Sequence, residues 1–316
     1  MGLLWIAAGG AAALLFAGLF RRLAPAFSRP GDRHHLRLAA TVIPALLFGA
    51  ALAVPIAMYL CNCPWYAGDD RRFVELATAV AIGPILFAAV RRWRATAATR
   101  TRLLALSVPA EPHLRSRFDV IAERMQAGAT QLRLLPTDRP LACSMAWPAA
   151  GVVLSTWMVE QLDEEELEGV IAHEIAHLRR HDHATGTVAA TLKDAWSVLR
   201  SRDRHDPRPL DSDRELACDE VAARATGRPG ALASALYKVW QFGAEGSAAG
   251  EVPALGPSAA DLSCRLEALL DRGSARSRPR RETWILAALG AMAVTLALVP
   301  VWYLPFCMNV LCRLPR

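Results

Sequence analysis

The stretch that decides the fold is Leu167-Glu168-Gly169-Val170-Ile171-Ala172-His173-Glu174-Ile175-Ala176-His177-Leu178-Arg179-Arg180-His181-Asp182-His183. At its centre two histidines stand at i and i+4, one helical turn apart on one face. Both rings can bind a single zinc ion there through nitrogens at about 2.0–2.1 Å. With 8 histidines among 316 residues, a His-Glu-x-x-His pattern arises by chance about 0.01 times in such a chain. At 100° per residue, Leu167, Ile171, Ile175 and Leu178 form one apolar stripe, and His173 and His177 project about 130° away from it beside Val170. That offset argues against two ordinary packed histidines. Glu174 lies between the two faces. The helix has a defined start and end. Asp163 and Glu166 have capping-box spacing, and Arg179, Arg180 and His181 crowd the C-terminal turn, where cations suit the dipole.

Catalytic zinc takes three protein ligands and keeps an open position, so a third donor is needed. Glu215, in Arg214-Glu215-Leu216-Ala217-Cys218-Asp219-Glu220, is the best candidate. Ser212 and Glu215 also have capping-box spacing, which leaves capping open as the only role of Glu215. Asp219, at i+4 on the same face, can accept the free ring N–H of a metal-bound histidine and so fix its tautomer. His181 and His183 are expected on a solvated helix end, His34 and His35 in an Arg-rich loop, His205 in a polar loop, and Cys218 as a packed thiol. His205 and Tyr237 both offer a donor for an oxyanion, and the sequence does not choose between them.

Composition frames this motif. Apolar residues make up 53% of the chain, charged residues 21%, and the mean hydropathy is +0.21, which excludes disorder and directs attention to membrane spans. Residues 103–282 hold 22 basic and 26 acidic residues, net −4; the rest holds 14 and 4, net +10. The basic excess therefore flanks apolar stretches rather than forming a groove, and nucleic acid is not expected as a partner. Residues 1–20, 38–60, 73–90 and 283–306 are each long and apolar enough to span a bilayer, the third weakened by Glu75. Arg21 and Arg22 follow the first stretch instead of preceding it, so it reads as an anchor and not a cleaved leader.

Arginine clusters at 21–37, 91–102 and 276–281 place those segments in the cytoplasm. The expected layout is three spans with loops over 1–102, a cytoplasmic domain over 103–282, and a fourth span with a short extracytoplasmic tail over 283–316. Cys61, Cys63, Cys307 and Cys312 then fall outside, where disulfides form; Cys143, Cys218 and Cys264 fall in the reducing interior. Within the central domain a helix is expected over 109–126 and short strands over 131–135, 141–144 and 151–156. Helices follow over 163–182, 187–200, 212–226, 230–242 and 259–272, with loops at 201–211 and 243–257.

The motif stretch, the segment 214–222 and Cys264-Arg265-Leu266-Glu267-Ala268-Leu269-Leu270 resemble, in order and spacing, the membrane zinc metallopeptidases of the BlaR/MecR antirepressor type. The resemblance implies a mainly α membrane protein with four transmembrane helices and a cytoplasmic α+β zincin-like domain containing a small sheet. It also implies one zinc ion held by His173, His177 and Glu215, Glu174 as general base, and Asp219 behind a zinc-bound histidine. Residues 151–156 resemble the edge strand on which zinc peptidases lay an extended substrate. About ten residues follow Phe306, so no penicillin-binding sensor is expected and a separate sensor or repressor protein is the implied partner. Residues 201–206 are polar where the family is aromatic.

The leading expectation is a zinc metalloendopeptidase of the cell membrane that cuts cytoplasmic or membrane-proximal proteins, with the lipid bilayer and a protein or peptide substrate as partners. An HtpX-type quality-control protease is the second enzymatic reading. That family inserts further spans between its motif and later glutamate, and residues 184–212, with Lys193, Asp194 and several arginines, are too polar for them. A signalling or scaffold protein with structural zinc is the non-catalytic alternative; structural zinc usually has four protein ligands and needs no general base. The layout is checked by alkylating intact cells with and without reductant: Cys61, Cys63, Cys307 and Cys312 should become labelled only after reduction, and four thiols that are always free would refute it.

Overall fold

In the computed structural model, residues 17–20, 22, 30–60, 69–146, 150–196, 210–248 and 259–271 are described. They are mainly helical, with a small mixed sheet. The chain divides into two compact units, one of residues 1–93, 187–207 and 279–316, the other of residues 94–186 and 208–278. Helix α1 (Pro30–Leu60) starts before the apolar stretch at 38, so His34 and His35 are helical and not in a loop. His34 is buried, as are Leu36, Ala40 and Ile43 on the same helix. Helix α2 (Asp69–Leu106) takes in both the third apolar stretch and the arginines after it, with Pro84 inside. Among the described residues no helix is long and apolar enough to cross a membrane. Most of the expected first span, the whole fourth span, Cys61, Cys63, Cys307 and Cys312 lie outside the described residues.

The second unit is built on strands β1 (Val108–Pro109), β2 (Gln131–Leu135), β3 (Ala142–Met145) and β4 (Gly151–Ser155), ordered β1-β2-β4-β3. β4 runs parallel to β2, with Val152 opposite Leu132 and Leu154 opposite Leu134, and antiparallel to β3, with Val152 opposite Ser144. The expected edge strand 151–156 is therefore central, and β3 is the edge. The reason is visible in Gly-Val-Val-Leu-Ser: a strand buried at every position has both faces covered and reads as a continuous apolar run rather than an alternating one.

Helix α3 (Pro112–Arg124) starts later than expected from the sequence. Pro112 sits in its first turn, where no N–H is needed, and Val108-Pro109 pair with β2 instead. Arg133 of β2 closes the end of α2: Nε donates to Ser107 Oγ at 2.8 Å, and Nη2 donates to the carbonyls of Ser107 and Leu104 at 2.5 and 3.3 Å. One face of the sheet, Leu132, Leu134, Val152 and Leu154, joins Leu114, Phe118 and Ile121 of α3 in a single core with Leu167, Ile171 and Ile175.

Those last three residues lie on α5 (Glu164–Arg179), which follows the short helix α4 (Thr156–Gln161). Its capping box is complete. Asp163 Oδ1 accepts from Glu166 N, and Asp163 N donates to Glu166 Oε2, both at 2.9 Å. The same Glu166 carboxylate, 2% exposed, accepts from Ser234 Oγ at 2.6 Å and Lys238 Nζ at 2.7 Å. Both belong to α8 (Pro229–Ala248), which runs longer than the expected 230–242. The helix expected over 163–182 breaks at His181, whose φ of 55° interrupts the i to i−4 ladder. α6 (Asp182–Trp196) restarts directly after it. α7 (Leu210–Thr226) ends at Gly227, with φ 72° and its N–H on Ala223 O at 2.9 Å. α9 (Ala259–Leu270) completes the unit.

Gly169 marks where α5 crosses α8. A Cβ at this position would stand 3.2 Å from both Cα and Cβ of Leu232. Gly169→Val should therefore destabilise the chain by about 1–3 kcal/mol through overpacking, read as a lower thermal unfolding midpoint; an unchanged midpoint would show that the crossing yields.

Candidate metal centre

α5 and α7 pack side by side, and this contact brings together residues far apart in sequence. His173 Nε2 lies 3.2 Å from His177 Nε2 and 3.3 Å from Glu215 Oε2; His177 Nε2 lies 3.7 Å from the same oxygen. Four ligand bonds of about 2.0–2.1 Å in a tetrahedron put donor atoms about 3.3 Å apart. The three atoms therefore fit one face of a tetrahedral zinc site; His177 also belongs to a second cluster of possible donors, with Asp182 and Cys218. Both imidazoles and Glu174 are buried.

The far side of each ring is also engaged. His177 Nδ1 is 2.9 Å from Asp182 Oδ2, which leaves Nε2 for a metal. His173 Nδ1 is 2.8 Å from Asp219 Oδ1, although the N–H points off the line to that oxygen. Asp182 is a partner that sequence spacing alone did not single out. The left-handed turn at His181 swings it back under His177, and its place five residues after the second histidine was the available signal. Arg265 was likewise passed over as a functional residue. On α9, it sends Nε and Nη2 to the two oxygens of Asp219 at 2.7 Å each.

Ser212 does not cap α7. The helix begins at Leu210, and the Ser212 hydroxyl donates to Asp261 Oδ1 at 2.9 Å, so Glu215 is free of the capping role and faces the imidazoles. Cys218 is buried, with Sγ 3.3 Å from His177 Nδ1 and 3.2 Å from Asp182 Oδ2. Burial and the neighbouring Asp182 charge push its thiol far up, so it stays protonated. His183 is not on a solvated end. It is half-buried, with Nε2 3.0 Å from Ser144 Oγ of β3, and burial with nearby positive charge pulls it down to about 4. Tyr237 is half-exposed on α8 beside Trp240; His205 and residues 201–206 lie outside the described residues.

Charge balance at the centre is set by proximity. Burial alone would raise Glu215, but the two histidine rings beside it hold it well below the usual carboxylate range. Burial pulls His173 down, and Asp219 and Glu215 outweigh it, pushing the ring up to about 10 in the metal-free protein. An imidazole raised from about 6.5 stabilises the fold fully below that value and ceases to do so as pH climbs through its folded pKa. The metal-free chain should thus lose thermal stability between about pH 6.5 and 10. Zinc uptake at pH 7 should expel a proton, read by calorimetry in buffers of different ionisation enthalpy. Uptake with no proton release would contradict this arrangement.

Residues 111–202 match the family model described as Peptidase family M48. The match includes His173, Glu174 and His177 but stops before Glu215, which is supplied by the fold. A protease HtpX homolog of Acaryochloris marina is 31% identical over 180 residues, 46% of this chain and 61% of that protein. A second, of Sulfurovum sp., is 31% identical over 137 residues, 34% of this chain and 50% of that protein. This chain thus spans between half and about three-fifths of the length of these relatives. Among solved structures, the crystal structure of S. mikatae Ste24p is similar at 15% identity and a TM-score of 0.38, over 84% of this chain and 98% of that one, too slight a likeness to bear on the fold. Residues 111–202 are thus similar to family M48, and the relatives carry names of the HtpX type, which stands second to the BlaR/MecR type on sequence alone.

Proposed function

We propose that the chain is a membrane zinc metalloendopeptidase that hydrolyses peptide bonds of cytoplasmic or membrane-proximal proteins. The observation that carries this reading is the meeting of His173 Nε2, His177 Nε2 and Glu215 Oε2 beside Glu174. The donor set also separates the catalytic reading from a structural one. Among the described residues the further candidate donors Asp182 and Cys218 approach Nδ1 of His177, the opposite side of the ring from Nε2. Three protein donors on one side leave a position for water and substrate.

Zinc bound there supplies a Lewis acid that polarises the scissile carbonyl and makes water acidic. Glu174, carried one residue after His173 on the same rigid helix, accepts the proton of the attacking water and delivers it to the leaving nitrogen. Asp219 and Asp182 hold the two rings with Nε2 facing inward. β3 packs against α5 and, among the described residues, has a strand partner on one side only. An extended substrate adding to β3 through main-chain hydrogen bonds would pass along the metal helix with little demand on its sequence. Placement of this domain in the cytoplasm rests on the arginine clusters.

The names of the relatives favour HtpX-like general proteolysis. The three sequence segments shared with the BlaR/MecR type favour cleavage of a dedicated regulator such as a repressor. One comparison distinguishes these and tests the activity itself: the proteomes of cells bearing wild type and Glu174→Gln. The variant should keep its zinc and lose cleavage by about 10²–10⁴-fold. Accumulation of many membrane proteins points to the first role, and of one regulator to the second; full cleavage by the variant would overturn the mechanism.

A further inference from the structure

Arg265 is the single cation on α9, and it lies on the helix's buried stripe between Leu262 and Leu269, itself only 8% exposed. A guanidinium in such a place must be fully paired, and an apolar residue would pack there at less desolvation cost. Its pairing goes to the metal centre. Nε and Nη2 form a fork on Asp219 Oδ2 and Oδ1, both at 2.7 Å. The remaining nitrogen, Nη1, stands 3.6 Å from Glu215 Oε2, the oxygen that faces both imidazoles. Asp219 Oδ1 is shared between the fork and the approach to His173 Nδ1.

We propose that Arg265 is a positioning residue for the metal centre. By gripping Asp219 and reaching Glu215 at once, it sets the orientation of the His173 ring and the direction of the Glu215 carboxylate, so that both donors point at one divalent ion. This inference rests on the metalloenzyme reading of the same residues. A role limited to holding α9 against α7 would need only a side chain of similar bulk and charge. Positioning needs the planar fork with a third donor, which lysine, a point charge, does not have.

The test uses the full chain in detergent, with zinc titrated against a chromophoric chelator and cobalt(II) as a spectroscopic substitute. Arg265→Lys, which keeps the charge, is expected to fold with an unfolding midpoint near that of wild type. It should bind zinc about 10–100-fold more weakly and show a shifted, weaker cobalt visible band. Arg265→Ala is expected to do the same, with added guanidinium restoring part of the zinc affinity and the cobalt band. Should Arg265→Ala fail to fold, Arg265→Lys decides alone. An Arg265→Lys protein with wild-type zinc affinity and cobalt spectrum would overturn the proposal while leaving the metal centre intact. A wild type that takes up no stoichiometric zinc, with Glu215→Ala behaving the same, would overturn the metalloenzyme reading and this inference with it.

Discussion

Bringing two buried imidazoles together with the carboxylates of Glu215, Asp219 and Asp182 is tolerable only when their charges are balanced, and the arrangement of helices answers that constraint. α5 supplies the imidazoles, α7 supplies Glu215 and Asp219, the turn at His181 supplies Asp182, and α9 supplies the Arg265 guanidinium that balances the carboxylates. Remove the contact between α5 and α7 and none of these groups has reason to be buried. The apolar side of α5, packed on the sheet through Ile171 and Ile175, fixes the direction in which the other side must look.

Much of this was legible beforehand. The capping box at Asp163 and Glu166 and the apolar stripe of α5 followed from spacing and periodicity, because they are local and depend on a single helix. The pairing of Glu215 with the histidines was legible only as one of two alternatives, since spacing within α7 says nothing about what α7 packs against. The start of that helix at Leu210, ahead of Ser212, decided it. Asp182 was hidden because the sequence reads as an uninterrupted helix through residue 182, and a left-handed histidine leaves no mark in periodicity. Arg265 was hidden because a lone arginine on a helix ordinarily faces solvent.

The edge strand was misplaced for a physical reason of the same kind. Residues 151–155 have a β-branched, apolar composition that signals a strand, but the absence of alternation is what signals a central one. The more polar Ala-Cys-Ser-Met segment, half-buried at two of its four positions, bears the marks of an edge. His183 shows the converse effect: a histidine among charged neighbours reads as solvated, yet the sheet edge reaches across to it through Ser144.

Glu166 serves two masters. One carboxylate closes the first turn of the helix that carries His173 and His177 and also receives a hydroxyl and an ammonium from α8. The energetic worth of Ser234 and of Lys238 is consequently not a property of either residue, since each acts on an acceptor already oriented by the other two donors. In a double-mutant cycle their effects would fail to sum, and the shortfall would measure how tightly the beginning of α5 is coupled to the helix that lies across it.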